Sequence, residues 1–325
     1  MKYNIAIFGA TGVVGRKVIK IIEEKNLTDN FFTLFASKKS AGKKLKIGEN
    51  KFIVNQITPE KLIQSHFDYA LFCTTEDISK LYVKKLSAKG TVVIDFSSLY
   101  RKKYPLIVPE INFDKTYGKI ICNPNCSTIA SVMALYKINQ KFGLKRIIYS
   151  TYQAVSGAGK HALDDLKVTD PKKLKKLDDI IKNNLFAYIG STADNGYTKE
   201  ENKMIFETKK ILSLKDTKIT ATCVRVPIEV CHSVSINFQT KKRASLEQIK
   251  QCLMQSEGVV YTENNLELMP LKVKDQNNVY VGRLRKDEYK NSTFNIFVVS
   301  DNLRKGAAQN GVQILEKLIG EKNNV

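Results

Sequence analysis

The sequence predicts two folded parts: an α/β doubly wound domain on a parallel sheet, and an α+β domain built on a mixed sheet. Three observations predict it. The chain opens with a short apolar strand, Asn4-Ile5-Ala6-Ile7-Phe8, then the glycine-bearing turn Gly9-Ala10-Thr11-Gly12-Val13-Val14-Gly15, then a helix with Val14, Val18, Ile21 and Ile22 on one side. Apolar runs alternate with helical segments as far as residue 122, the mark of parallel strands joined by crossover helices. Beyond Cys126 the runs lengthen and helices become scarce. With 325 residues, 43% of them hydrophobic, the chain can bury a sizeable core, and its length favours two domains over one.

The opening is of the dinucleotide-binding, Rossmann type. Its glycines permit a tight turn and close backbone approach, and the helix N-terminus receives a pyrophosphate, so Gly9, Thr11, Gly12, Val13, Val14 and Gly15 are the candidate phosphate-binding turn. The spacing is G-x-x-G-x-x-G rather than G-x-G-x-x-G, and it is the strand before and the helix after that give the motif weight. The second strand, Phe31 to Ala36, runs into Ser37-Lys38-Lys39-Ser40-Ala41-Gly42-Lys43-Lys44. A carboxylate for a ribose 2′-hydroxyl belongs at this turn in an NAD site. Ser37, Lys39 and Ser40 offer hydroxyls and a cation instead, which suits the 2′-phosphate of NADP; the competing reading is an exposed basic loop.

Further strands are expected at Tyr69 to Cys73, Thr91 to Asp95, Leu106 to Pro109 and Lys119 to Cys122, with a helix from Ile78 to Leu86. In the second part, strands are expected at Arg146 to Gln153, Lys218 to Ile228, Val234 to Thr240 and Phe294 to Ser300, with a helix at Leu246 to Gln255. The helical pattern from Leu303 to Ile319 returns to the nucleotide domain. The expected division is therefore 1–125 with 304–325 for the nucleotide domain and 126–303 for the other.

Composition narrows the function classes. No apolar run approaches the roughly 20 residues that span a bilayer, and Met1 to Asn4 leads into a strand rather than a signal peptide, so a cytoplasmic protein is expected. Six cysteines without a C-x-x-C pair make neither a disulfide framework nor a zinc site, and the three histidines include no close pair for metal. The net charge of +21 comes from lysines scattered along the chain, which argues against nucleic acid and suits anionic small substrates. The densest run, Lys167 to Lys182, interleaves Asp170, Asp178, Asp179, Leu174, Leu177 and Ile180 and reads as a solvated helix face.

The chemistry centres on Ile121-Cys122-Asn123-Pro124-Asn125-Cys126-Ser127-Thr128. This stretch delivers Cys126 from an apolar strand into the first turn of a helix, where unpaired N–H groups and the dipole favour a thiolate and can hold an oxyanion. A small buried hydrophobe is the other role open to such a cysteine.

Six ordered motifs together resemble the aspartate-semialdehyde dehydrogenase family over nearly the whole chain. They are G-A-T-G-V-V-G at 9–15, N-P-N-C-S-T at 123–128, T-Y-Q-A-V-S-G-A-G at 151–159, D-N-G-Y-T-K-E-E at 194–201, C-V-R-V-P at 223–227 with C-H-S at 231–233, and D-N-L-R-K-G-A-A at 301–308. The resemblance implies a catalytic and dimerising second domain, a homodimer with a tetramer as the alternative, and NADP. It makes Cys126 the nucleophile, His232 the acid/base and Gln153 the residue that orients the thiohemiacetal. Arg225 would hold the substrate α-carboxylate, Glu200 its amino group, and Arg101 and Lys203 the phosphate, with Asn125 helping to position that anion. Thr75, Ser156, Gly157 and Asn310 complete the implied cofactor set.

The implied reaction interconverts aspartate 4-semialdehyde plus phosphate and 4-phosphoaspartate, for lysine, threonine and methionine synthesis. The chemistry needs these groups: a thiolate attacks the aldehyde, a hydride is lost, and phosphate cleaves the thioester. Histidine suits the proton work and a guanidinium fork suits a carboxylate. The nearest rival is N-acetyl-γ-glutamyl-phosphate reductase, against which Glu200 speaks because a carboxylate is misplaced beside an acetamide. A second rival is a family member that binds nucleotide or polyanion without turnover. Three stretches depart from the family pattern: Phe96 for an asparagine, Cys73-Thr74-Thr75-Glu76-Asp77 for a small glycine-rich loop, and Ala187-Tyr188-Ile189-Gly190. Lys39 also stands in place of an arginine.

Overall fold

The computed structural model describes residues 1–59, 65–113 and 118–323. The chain forms two compact units, Met1–Pro124 with Ala307–Val325, and Asn125–Gly306.

The first unit holds a seven-stranded sheet in the order β3-β4-β2-β1-β5-β6-β7. Its strands are β1 (Asn4–Phe8), β2 (Phe31–Ala36), β3 (Lys44–Ile47), β4 (Asn50–Gln56), β5 (Tyr69–Phe72), β6 (Val92–Asp95) and β7 (Ile120–Cys122). All pairings are parallel except the hairpin β3–β4 at the edge. The central strands are buried on both faces, as doubly wound sheets require: Ile5, Ile7, Tyr69, Leu71 and Ile94 share one core cluster with Val18, Ile21 and Ile22 of the helix Val13–Glu24. Val312, Ile314, Leu315 and Ile319 of the last helix, Gln309–Asn323, fill the same cluster.

Leu106 to Pro109, expected as a strand, is not one. Ile107 N–H reaches the Cys122 carbonyl and Cys122 N–H reaches Pro105, which leaves a single bridge between Leu106 and Cys122. The ladder stops there because the Asn112 side chain takes the next groups: its Oδ1 accepts from Val108 N and its Nδ2 donates to Leu106 O, both at 2.9 Å. Pro109 has no N–H to continue pairing and starts the short helix Pro109–Asn112.

The second unit holds a mixed six-stranded sheet in the order β11-β12-β13-β10-β8-β9. The strands are β8 (Leu144–Gln153), β9 (Lys218–Arg225), β10 (His232–Thr240), β11 (Val259–Tyr261), β12 (Val279–Lys286) and β13 (Thr293–Ser300). β8 lies between β9, parallel to it, and β10, antiparallel. Helices Cys126–Phe142, Lys199–Ile211 and Leu246–Met254 pack beside one another against this sheet. The alternate residues Ser150, Tyr152, Ser235, Asn237, Gln239, Asn295 and Phe297 are only half-buried or exposed, so the opposite face is left open.

The lysine-rich run from 167 to 182 is not a helix. Asp170 caps a single 3₁₀ turn at Pro171–Lys173, and the buried carboxylate of Asp165 accepts the backbone N–H groups of Lys175, Lys176 and Leu177 at 2.8, 2.8 and 2.9 Å. Burial raises the Asp165 pKa, but these three donors and the Lys175 charge outweigh it and hold the carboxyl below its usual range. A side chain that gathers three successive amides fixes an irregular loop, which charge spacing alone does not reveal.

Candidate active site

Pro124 closes the approach to the Cys126 helix, and Asn125 caps it. The Asn125 Oδ1 accepts from Ser127 N at 3.0 Å and Thr128 N at 3.2 Å, while its own backbone N–H donates to the buried Glu207 carboxylate at 2.6 Å. Cys126 is thus the first helical residue, half-buried, with the positive end of a 17-residue helix beneath its sulfur. The Gly306 backbone lies against it; a Cβ at 306 would come within 3.0 Å of the Cys126 Cβ.

Three strand ends meet this thiol. Gln153 ends β8, Arg225 ends β9 as its register partner, and His232 begins β10 beside Ser233, which pairs with Tyr152. The seven residues between Arg225 and His232 in sequence therefore hide a spatial closeness created by the strand lying between them. His232 Nε2 is 3.1 Å from the Cys126 Sγ, and the Ala154 backbone N–H donates to its Nδ1 at 3.0 Å. The Arg225 Nη1 donates to the Ala154 carbonyl at 2.8 Å, so one residue positions both side chains. Burial, then the Arg225 charge, push the His232 pKa down to about 3 against the opposing pull of Glu200 and the Cys231 carbonyl. Burial also depresses Arg225, offset by Glu200 and the Cys126 sulfur.

Glu200 stands in the first turn of the helix Lys199–Ile211, which Thr198 and Glu201 open with a reciprocal capping box. Its Oε1 accepts from Asn125 Nδ2 at 2.7 Å and Gln153 Nε2 at 3.2 Å, and its Oε2 pairs with Lys203 Nζ at 3.3 Å. Burial raises its pKa, but Lys203, the two amides and Arg225 outweigh that, so Glu200 is held ionised below the ordinary range. Gln153 is fixed at its other end by the Thr151 hydroxyl, 3.0 Å from Oε1. Six of the expected residues, Cys126, His232, Gln153, Arg225, Glu200 and Asn125, thus form one connected cluster, and Lys203 joins it through Glu200. Both ends of the Asn125 amide are committed within it. Ser156 is buried and accepts from Asn302 Nδ2 at 2.9 Å, while Gly157 brings bare backbone to the histidine.

In the first unit the glycine turn is built as its motif requires. Gly9 has φ +76°, and a Cβ there would lie 2.2 Å from the Cys73 carbonyl; a Cβ at Gly15 would lie 2.2 Å from the Gly9 carbonyl. Gly12 caps the helix Val13–Glu24 with no side-chain hydrogen bond to its first turn, which leaves that N-terminus suited to a pyrophosphate. Gly9 and Ala10 both donate to the Phe35 carbonyl near the end of β2, where Ser37, Lys39 and Ser40 follow in an exposed 3₁₀ turn. These residues fit a dinucleotide. Thr75 caps the helix Glu76–Ala88, whose first turn holds Glu76 and Asp77, and Glu76 accepts from the Ser98 hydroxyl.

Phe96 stands beside the Arg101 loop with its side chain turned away from it. Its ring packs into the core, so close to Gly311 that a Cβ there would lie 2.2 Å from Cζ, while its carbonyl accepts from Arg101 Nη2 at 2.9 Å. Arg101 Nε donates to Ser97 O at 3.1 Å. Buried Asp95, which sequence reading passed over, ties this loop down through Ser97 N, Ser97 Oγ and Ser79 Oγ at 3.1, 2.7 and 2.8 Å. Asn310 is fully buried, its Nδ2 donating to Ile107 O and Asn123 Oδ1 at 2.8 Å.

A thiol set beside an imidazole, in a chain whose other unit carries a nucleotide-type sheet, defines a class: oxidoreductases that work on aldehydes. The sequence matches the family described as semialdehyde dehydrogenase, NAD binding domain, over residues 4–118, and semialdehyde dehydrogenase, dimerisation domain, over 135–305. The aspartate-semialdehyde dehydrogenase of Aquifex aeolicus is 42% identical, with 99% of each chain covered. The crystal structure of aspartate semialdehyde dehydrogenase II from Vibrio cholerae, complexed with ASA, superposes with a TM-score of 0.90 at 36% identity, covering 98% of each chain. The aspartate semialdehyde dehydrogenase of Candida albicans, solved with NADP, gives 0.75 at 25% identity, covering 97% of this chain and 98% of that one. The chain belongs to the aspartate-semialdehyde dehydrogenase family.

Proposed function

We propose that the enzyme interconverts aspartate 4-semialdehyde plus phosphate and 4-phosphoaspartate through a thioester on Cys126, in the route to lysine, threonine and methionine. The observation that carries the reading is the connected cluster in which the sulfur, an imidazole 3.1 Å away, a buried guanidinium and an ionised buried carboxylate lie together. Arg225 supplies a fork for the α-carboxylate, and Glu200, held ionised, faces the amino group. The thiolate adds to the aldehyde carbon, Gln153 orients the adduct, and His232 works on its oxygen. Bound NADP supplies the hydride acceptor. Lys203 and Arg101 as phosphate ligands, Asn125 as a residue positioning that anion, and Thr75, Ser156, Gly157 and Asn310 as cofactor contacts, rest on the resemblance alone.

NADP rather than NAD is proposed from the turn after β2, where Ser37 and Lys39 stand exposed and Ser40 half-buried, without a carboxylate among them. Lys39 offers a point charge, so the preference is weaker than an arginine would give. A homodimer is proposed from the dimerisation-domain match and the open sheet face bearing Tyr152 and Phe297, with a tetramer of such dimers the alternative. No helix among the described residues is long and apolar enough to cross a membrane. A cytoplasmic location is proposed.

The test is a phosphate-dependent assay of NADPH formation from aspartate semialdehyde. Cys126→Ala should abolish turnover while leaving NADPH affinity within a few-fold, because only the covalent step is lost. Substantial activity in that variant would remove the nucleophile assignment.

A further inference from the structure

The helix that presents Cys126 is held at its start by a second helix, Lys199–Ile211, through two carboxylates on one face of it. Glu200 and Glu207 are seven residues apart, close to two full turns, so their side chains leave that helix in nearly the same direction. Both end on Asn125. Glu200 Oε1 accepts from the side-chain Nδ2 at 2.7 Å, and Glu207 Oε2 accepts from the backbone N–H at 2.6 Å. The remaining end of Asn125, Oδ1, caps Ser127 and Thr128. We propose that Glu207 is a positioning residue for the nucleophile: by holding the Asn125 backbone amide it sets where the Cys126 helix begins, and with it the place of the sulfur. The inference rests on Cys126 being the nucleophile.

The two carboxylates do different work. Glu200 is shared with Gln153 and Lys203, and its bond to Asn125 fixes a side-chain amide about which the main chain could still swing. Glu207, 1% exposed, takes the main chain itself, one residue before the cysteine. A carboxylate on a backbone N–H is a charge-assisted contact, short and stiff. The site has little slack to absorb a shift of the helix start. His232 Nε2 stands 3.1 Å from the sulfur, and the Gly306 backbone lies so near that a Cβ there would come within 3.0 Å of the Cys126 Cβ. Displacements of about an ångström at a reacting atom are costly even when they originate far from the chemistry. As a charge, Glu207 works against a thiolate on the next residue. What it offers the site is position.

Four variants of the full-length enzyme test this. Glu207→Ala should lower kcat by about ten- to hundred-fold while KM for aldehyde, phosphate and NADP stays within about three-fold. Glu207→Asp keeps the charge but falls one methylene short; it should show a similar loss, and it carries the test if the alanine variant does not fold. Glu207→Gln keeps the reach and an acceptor and should recover most of the loss. Thr208→Val removes a neighbouring buried contact of the same helix, Thr208 Oγ1 to the Tyr149 hydroxyl at 3.2 Å, and should lower stability without lowering kcat. Full activity in folded Glu207→Ala or Glu207→Asp, a loss carried by KM alone, a loss in Glu207→Gln equal to that in Glu207→Ala, or a matching fall in Thr208→Val overturns the proposal.

Alkylation of Cys126 by iodoacetamide, followed on the Cys126 peptide by mass spectrometry, supplies a sign that general loosening does not. Removing a nearby anion lowers the pH at which a thiol ionises, whereas losing alignment with the helix end and Arg225 raises it. In Glu207→Ala the midpoint should rise by about half a pH unit, the worth of one helix terminus to an adjacent charge. A fall, or no change, overturns the proposal. Alkylation needs no turnover, so failure of the wild type to use aspartate semialdehyde would remove the proposed function and leave this result interpretable.

Discussion

At the scale of single residues, Arg225 has the most to lose from a conservative change. Its Nη1 is spent on the Ala154 carbonyl, and its charge is set against Glu200 and the sulfur. Arg225→Lys keeps the charge but cannot both hold Ala154 and grip a carboxylate in two places. The expected result is a roughly ten- to hundred-fold higher KM for the aldehyde with little change for phosphate, since one charge-assisted contact is worth about 1.5–3 kcal/mol. Steady-state kinetics with each substrate varied in turn checks it; equal rises for both would dissociate Arg225 from the carboxylate. Cys126 was legible because its signal is local, a cysteine between a strand and a helical run. Glu207 was not: its contact with the Asn125 amide spans 82 residues and leaves no local trace.

At the scale of elements, what the sequence hid follows from which interactions are short-range. The helix that carries Glu200 and Lys203 was missed, although the capping box Thr198-Lys199-Glu200-Glu201 is a local signal for it. The β3–β4 hairpin around Gly48, whose φ is +58°, was also missed, although Lys44 to Ile47 and Asn50 to Gln56 alternate as strands do. By contrast, the loop over 167–182 depends on one distant-acting carboxylate, and the closeness of Gln153, Arg225 and His232 depends on strand order. Phe96 and Gly311 make the sharpest element-level prediction. The strand β6 and the final helix approach through this pair, so Gly311→Ala should destabilise by about 1–3 kcal/mol as an overpacked core does. Phe96→Ala should cost stability alone yet recover part of the Gly311→Ala loss when combined. Denaturant unfolding of the four proteins checks it, and simple additivity would mean the ring and the glycine do not constrain each other.

At the scale of the whole molecule, a histidine buried neutral makes stability depend on pH. Its folded pKa, about 3, lies below the unfolded value near 6.5, so between them the unfolded state binds the extra proton. The contribution is fully present above about pH 6.5 and is lost progressively as pH falls toward 3. Unfolding free energy should drop by about 1.5 kcal/mol from pH 6.5 to pH 5, and the drop should be absent in His232→Gln. Equilibrium denaturation at the two pH values measures it; an identical slope in the variant would assign the loss to other groups.

The first unit also has a history set by its topology. Its first strand begins at residue 4, yet Val312, Ile314, Leu315 and Ile319 lie in the same core. A ribosome must add all of Asn125–Gly306 before those side chains exist, which at about 5–20 residues per second takes roughly 10–40 s. Throughout that interval Ile21, Ile94 and Ile121 lack part of their cover. The emerging chain therefore carries an unfinished apolar surface that only its last turns can close, and it is during synthesis, more than afterwards, that a holding chaperone would find something to bind.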